Sequence, residues 1–126
     1  MSAPPPPRPL RILIVEDEAL ILMLLKDMIS ELGHLCAQSA ARLEPALAAA
    51  SAADYDLAIL DVNLRGEETY PVAEIAATHR KPVIFATGYG EQGLPEAWRD
   101  RPILQKPFDR SEEHTSELQS RGLISY

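Results

Sequence analysis

Leu57–Asp61 reads LAILD, four consecutive apolar residues closed by a carboxylate. A run with no polar member offers no side to solvent. As a strand it is buried on both faces, the pattern of a parallel sheet covered by helices. Three further short runs rich in apolar residues lie outward of it. Upstream, Leu10–Val15 (LRILIV) leads into Glu16-Asp17; downstream, Val83–Ala86 (VIFA) leads into Thr87, and Ile103–Gln105 leads into Lys106-Pro107. In open α/β sheets ligands gather outside the carboxyl ends of the strands. An acidic pair, a further carboxylate, a hydroxyl and an ammonium therefore meet along one sheet edge, a set suited to handling a phosphoryl group.

The intervening segments read as helices. Glu18–Leu32 carries Ile21, Leu24, Leu25, Met28 and Leu32 at helical spacing, with Gly33 following as a left-handed cap. The methionines of this segment, Met23 and Met28, are expected to fill the core. His34–Ser39 is a weak second strand in which Cys36 is expected to be a small buried hydrophobe. Arg42–Ala53 is an alanine-rich helix with Pro45 tolerated in its first turn. Asp54–Asp56 turns into the LAILD strand, Tyr70–His79 is a third helix, and Lys81-Pro82 opens the next strand. Gly88, Gly90, Gly93 and Pro95 argue against a long regular helix between Thr87 and Pro102, a segment expected to be mobile before phosphate is bound. Alternating strands and helices predict an α/β fold with right-handed crossovers and a doubly wound parallel sheet of five strands.

Composition narrows the function classes. The segment from Leu10 to Asp109 is long enough for one core of ordinary size. A net charge of −7 argues against nucleic acid as a partner. No stretch approaches the roughly 20 uncharged residues of a membrane span, and the N-terminus lacks the apolar centre of a signal peptide. One cysteine forms no internal disulfide and fits a reducing cytoplasm. Met1–Pro9 holds five prolines and reads as a polyproline-like, disordered leader. His34, His79 and His114 show no ligand spacing to one another, and Trp98 is expected to be packing.

The combination VEDE (15–18), LAILDVNL (57–64), FATG (85–88) and KPF (106–108) resembles the receiver domain of two-component response regulators, over Leu10 to Asp109. PVIFATGYG at 82–90 is similar to an alphaproteobacterial subgroup marked by Phe-Ala-Thr-Gly-Tyr, many of whose members stand alone without an output domain. The resemblance implies a flavodoxin-like, CheY-like sheet. It also implies phosphorylation of Asp61 by a histidine kinase or histidine phosphotransfer protein, and a conformational change read by a downstream protein target.

Independently of the resemblance, carboxylates crowded at one edge cannot all stay ionised without a cation or a large rise in pKa. A hard divalent ion that keeps several waters, hence Mg²⁺, suits such oxygen ligands. In the receiver pattern Asp17 and Asp61 ligate the metal directly, Glu16 acts through water, and the backbone carbonyl of Asn63 completes the set. Asp61 would be the nucleophile, Lys106 would stabilise charge on the transferred oxygens, and Thr87 would hydrogen-bond the installed group. Pro107 resembles the receiver's cis-proline turn that aims the lysine inward.

Two departures stand out. Most receivers carry an aromatic residue three positions before the lysine; here it is Ile103, which leaves Tyr89 as the substitute switch or as a fixed shield over the site. Arg110–Ser120 reads RSEEHTSELQS, which is the first-frame translation of a common sequencing adapter. Its apolar residues form no helical stripe, so the amphipathic fifth helix of a receiver is expected to be lost and residues 110–126 to be a non-native tail. Two other readings compete. A haloacid-dehalogenase-like phosphatase also uses a strand-end aspartate with Mg²⁺, but it wants a second aspartate where Asn63 stands. A pseudo-receiver binding module would be expected to have lost Asp61 or Lys106.

Overall fold

Backbone strands β1 (Arg11–Val15), β2 (Leu35–Ala40) and β3 (Leu57–Asp61) alternate with helices α1 (Ala19–Glu31) and α2 (Leu43–Ala52). A hairpin of two-residue strands, β4 (Asn63–Leu64) and β5 (Glu67–Glu68), precedes α3 (Tyr70–Thr78), β6 (Val83–Thr87), a 3₁₀ turn at Glu96–Trp98 and β7 (Ile103–Gln105). The computed structural model describes residues 8–88 and 94–106. Tyr89, Pro107, residues 1–7 of the leader and the adapter-like tail lie outside the described residues, and with them the expectations placed there.

The five long strands form one sheet in the order β2-β1-β3-β6-β7, every neighbouring pair parallel. The chain leaves β1 outward to β2 and returns to pair on its other side as β3. The crevice between the ends of β1 and β3 is therefore the switch point of an open α/β sheet, where such folds bind ligands.

Alternate residues of each strand serve opposite faces. Ile12, Ile14, Leu57, Ile59, Ile84 and Ala86 pack with Leu25, Met28 and Ile29 of α1. Leu13, Val15, Ala58, Leu60, Val83 and Phe85 pack on the other face with Ala46, Ala49 and Ala50 of α2 and Val72, Ala73 and Ala76 of α3. Helices on both faces make the sheet doubly wound and flavodoxin-like. Small side chains on α2 and α3 let α2 pack closely over β1 and β2, α3 over β3 and β6, and the two helices against each other. Full burial of each large strand residue contributes about 1.5–3 kcal/mol gross. The aromatic side chain of Phe85 sits between Tyr70, 5.9 Å away, and Trp98, 5.7 Å away and edge-on, so Trp98 is packing as expected.

The helix limits fall within a residue or two of the sequence reading, and Gly33 is left-handed (φ 88°). Two side chains differ from it. Met23 is 57% exposed on the outer face of α1, because the stripe that reaches the sheet centres on Leu25, Met28 and Ile29. Cys36 is only partly buried, since β2 is an edge strand with a register shift between Ile12 and Leu13 of its partner. Burial nevertheless raises the Cys36 thiol pKa, which disfavours the thiolate form.

Candidate functional site

The sheet delivers the predicted residues to one edge. Val15 is the last residue of β1, and the next two, Glu16 and Asp17, turn over its end; Asp61 closes β3 and Thr87 closes β6. Lys106 follows β7 directly, its amide donating to the Thr87 carbonyl at 2.8 Å, which extends the β6–β7 ladder and fixes where the lysine leaves the sheet. Carboxylate oxygens of Glu16, Asp17 and Asp61 all lie within 4.8 Å of one another. That spacing and an all-oxygen donor set suit a hard divalent cation.

Lys106 sits between two of the three carboxylates. Its Nζ is 3.0 Å from Glu16 Oε1 and 3.1 Å from Asp61 Oδ2. Glu16 is 1% exposed, and its other oxygen accepts the Glu18 amide at 3.1 Å. Burial pushes the Glu16 carboxyl up to about 7, against the pull of that amide and of Lys106. Burial likewise raises Asp61, opposed by Lys106 and by the Asn63 amide, which donates to Asp61 Oδ1 at 3.3 Å. Burial alone would lower Lys106; the two carboxylates together outweigh it and hold the ammonium charged. Asp17, by contrast, is held from the solvent side by Arg65, whose Nε lies 3.3 Å from Asp17 Oδ2.

A cleft of about 450 Å³ opens over this edge, its lining including Asp17, Asp61, Asn63, Tyr70, Thr87 and Lys106. Six sequence-derived candidates, Glu16, Asp17, Asp61, Asn63, Thr87 and Lys106, thus converge. Asn63 does so through its backbone, since its side-chain oxygen accepts the Gly66 amide at 2.6 Å and closes the hairpin turn. The sequence reading passed over two residues here. Thr69 is fully buried and its hydroxyl donates to the Asp61 carbonyl at 2.6 Å, tying the start of α3 to the end of β3. A threonine ahead of a helix reads as a cap from sequence, yet it makes no capping bond. Arg65 is the second, brought to Asp17 by a hairpin too short to leave a periodicity.

Among the described residues no helix is long and apolar enough to cross a membrane. A family model described as response regulator receiver domain matches residues 12–116. The transcriptional regulatory protein PdtaR of Mycobacterium tuberculosis is 35% identical over 108 residues, which cover 82% of this chain and 53% of PdtaR. The chain therefore spans about half the length of the curated relatives it matches. The solution structure of SdrG from Sphingomonas melonis Fr1 superposes with a TM-score of 0.74 at 41% identity, covering 88% of this chain and 97% of SdrG. A BeF3-activated conformation of SdrG, from Pseudomonas melonis Fr1, gives 0.75 at 41% identity, covering 90% and 96%. The likeness to SdrG agrees with the narrower resemblance carried by PVIFATGYG. With this sheet, this edge and these relatives, the chain belongs to the response regulator receiver domains of two-component systems.

Proposed function

We propose that the chain accepts a phosphoryl group on Asp61 from a histidine kinase or histidine phosphotransfer protein and passes the signal to a downstream protein target. The observation that carries this reading is the buried Asp61 carboxylate at the end of β3, set beside Glu16 and Asp17 and bridged by Lys106. The BeF3-activated conformation of SdrG supports it, because BeF3 is a mimic of the phosphoryl group.

Asp17 and Asp61 would hold Mg²⁺ directly, with Glu16 acting through water and the Asn63 carbonyl completing the protein ligands. Bound Mg²⁺ would supply charge neutralisation between the attacking carboxylate and the phosphoryl oxygens. An Asp61 carboxylate oxygen attacks phosphorus in line, a P–O bond forms, and the bond from phosphorus to the donor's leaving atom breaks with its electron pair going to that atom. Lys106, already beside Asp61, stabilises charge on the transferred oxygens; Thr87, on the same cleft wall, donates its hydroxyl to the installed group. Tyr89 would shield or switch the site and Pro107 would aim Lys106. The compact receiver at 10–109, with a leader at 1–9 and a non-native tail at 110–126, belongs to the same proposal. So does a place in the cytoplasm as a signalling module rather than a turnover enzyme, without direct contact to nucleic acid.

Incubation with acetyl phosphate and Mg²⁺, followed by intact mass, tests the central claim. One phosphate increment is expected, absent with EDTA and absent in Asp61→Asn. Labelling that survives Asp61→Asn would refute the assignment. Steady release of phosphate from generic esters would favour the phosphatase reading, which Asn63 in place of a second aspartate argues against.

A further inference from the structure

We infer that Arg65 is a built-in counter-ion that competes with the divalent cation for Asp17 and thereby sets the affinity of the site for metal. The inference rests on the proposed reading of the three carboxylates as a Mg²⁺ site. Each carboxylate already has a cationic partner within the chain: Lys106 serves Glu16 and Asp61, and Arg65 serves Asp17. The two cations differ in cost of displacement. The Lys106 side chain is 17% exposed and lies inside the cleft, whereas that of Arg65 is 83% exposed and reaches in from the rim. A metal that takes Asp17 must first compete with Arg65.

The local backbone is built to present this side chain. Leu64 pairs with Glu67 across a two-residue turn whose central residues, Arg65 (φ 52°) and Gly66 (φ 94°), are both left-handed. Such turns match the twist of a hairpin, and glycine or asparagine is the usual occupant of left-handed positions. An arginine there is sterically disfavoured, and strained residues persist where surrounding contacts over-determine them. Here those contacts run to the site itself. The Asn63 amide donates to Asp61, the Asn63 side chain accepts from Gly66, and Arg65 donates to Asp17 across 48 residues of chain. Asp17 and Arg65 also line a second cleft of about 590 Å³, bordered by Ala41, Arg42 and Glu67. The pair stands between the two clefts, so the guanidinium has room to swing away from the metal side once Asp17 is taken.

Arg65 is a positioning residue in this account, acting through Asp17 and not on the reacting atoms. The test is Mg²⁺ binding by calorimetry, with no phosphodonor present, to the full chain, R65Q and R65K at low and high salt. R65Q should bind Mg²⁺ about two- to fivefold more tightly than wild type, the gain expected from removing one exposed ion pair. R65K keeps the charge and should stay near wild type. The gain should shrink in about 0.5 M NaCl, because an exposed pair is screened. In wild type the Arg65 Nε–H resonance should move as Mg²⁺ is added. An R65Q affinity equal to or weaker than wild type, while wild type binds Mg²⁺, would overturn the role of Arg65 alone. Absence of any Mg²⁺ uptake by wild type would overturn the metal reading and this inference with it.

Discussion

Glu16 carries a charge that its surroundings resist. Its folded carboxyl titrates near 7 because burial outweighs the Glu18 amide and the Lys106 ammonium, whereas the ordinary value is 4.5. Between those values the folded protein holds a proton that the unfolded chain has released. The contribution of Glu16 to stability is thus most favourable below about pH 4.5 and is lost as pH rises towards 7. Urea unfolding in EDTA should show the stability of wild type falling relative to Glu16→Gln between pH 5 and 7.5; a constant difference would mean that Glu16 ionises like an exposed carboxylate. The neighbours separate by charge. Asp17→Asn deletes a proposed charged ligand and should weaken Mg²⁺ binding by about tenfold or more, while Lys106→Ala removes a competing cation and should leave binding unchanged or tighter, yet slow the proposed phosphorylation. Calorimetry that moved both variants in one direction would refute the division of labour between them.

The end of β3, the β4–β5 hairpin and the start of α3 form one linked unit around Asp61, with Thr69 as its tie. Thr69→Val removes a buried hydroxyl donor to the Asp61 carbonyl and should cost about 1–3 kcal/mol in urea unfolding, whereas Thr69→Ser should retain most of it. Equal stability of Thr69→Val and wild type would show that the contact holds nothing. The strands of the main sheet were legible because both faces of each are covered, leaving continuous apolar runs that end abruptly at functional side chains. The hairpin was not. Two-residue strands containing Asn63, Glu67 and Glu68 carry no alternation, and only Arg65-Gly66 hints at the turn. The ends of β1, β3, β6 and β7 told where Asp17, Asp61, Thr87 and Lys106 would meet, since a parallel sheet aligns its carboxyl ends. Contacts arriving from outside the sheet edge, Arg65 on Asp17 and Thr69 on the Asp61 carbonyl, depend on loop geometry that no periodicity encodes. Met23 and Cys36 failed for a related reason: apolar spacing marks a stripe but not which of its margins the neighbouring elements reach.

A sheet that gathers three carboxylates at its switch point stores like-charge repulsion in the whole fold, relieved within the chain by two cations. The unfolded chain keeps Asp61 far from the adjacent Glu16 and Asp17 and offers no such site. A divalent ion that binds only the folded arrangement therefore stabilises the molecule by mass action, by about 1.4 kcal/mol at a free concentration ten times the dissociation constant. For a domain of this size that corresponds to a rise in Tm of about 5–10 °C. Thermal melts of wild type should show this rise on replacing EDTA with Mg²⁺, saturating with concentration as a single site does. Asp17→Asn, which leaves the hydrophobic core untouched but lacks one proposed charged ligand, should show little rise over the same range. Removing this one carboxylate also separates site binding from general salt effects, because ionic screening acts on both proteins alike. An equal rise in the two would mean that Mg²⁺ stabilises the fold from somewhere other than the edge where β1 and β3 end.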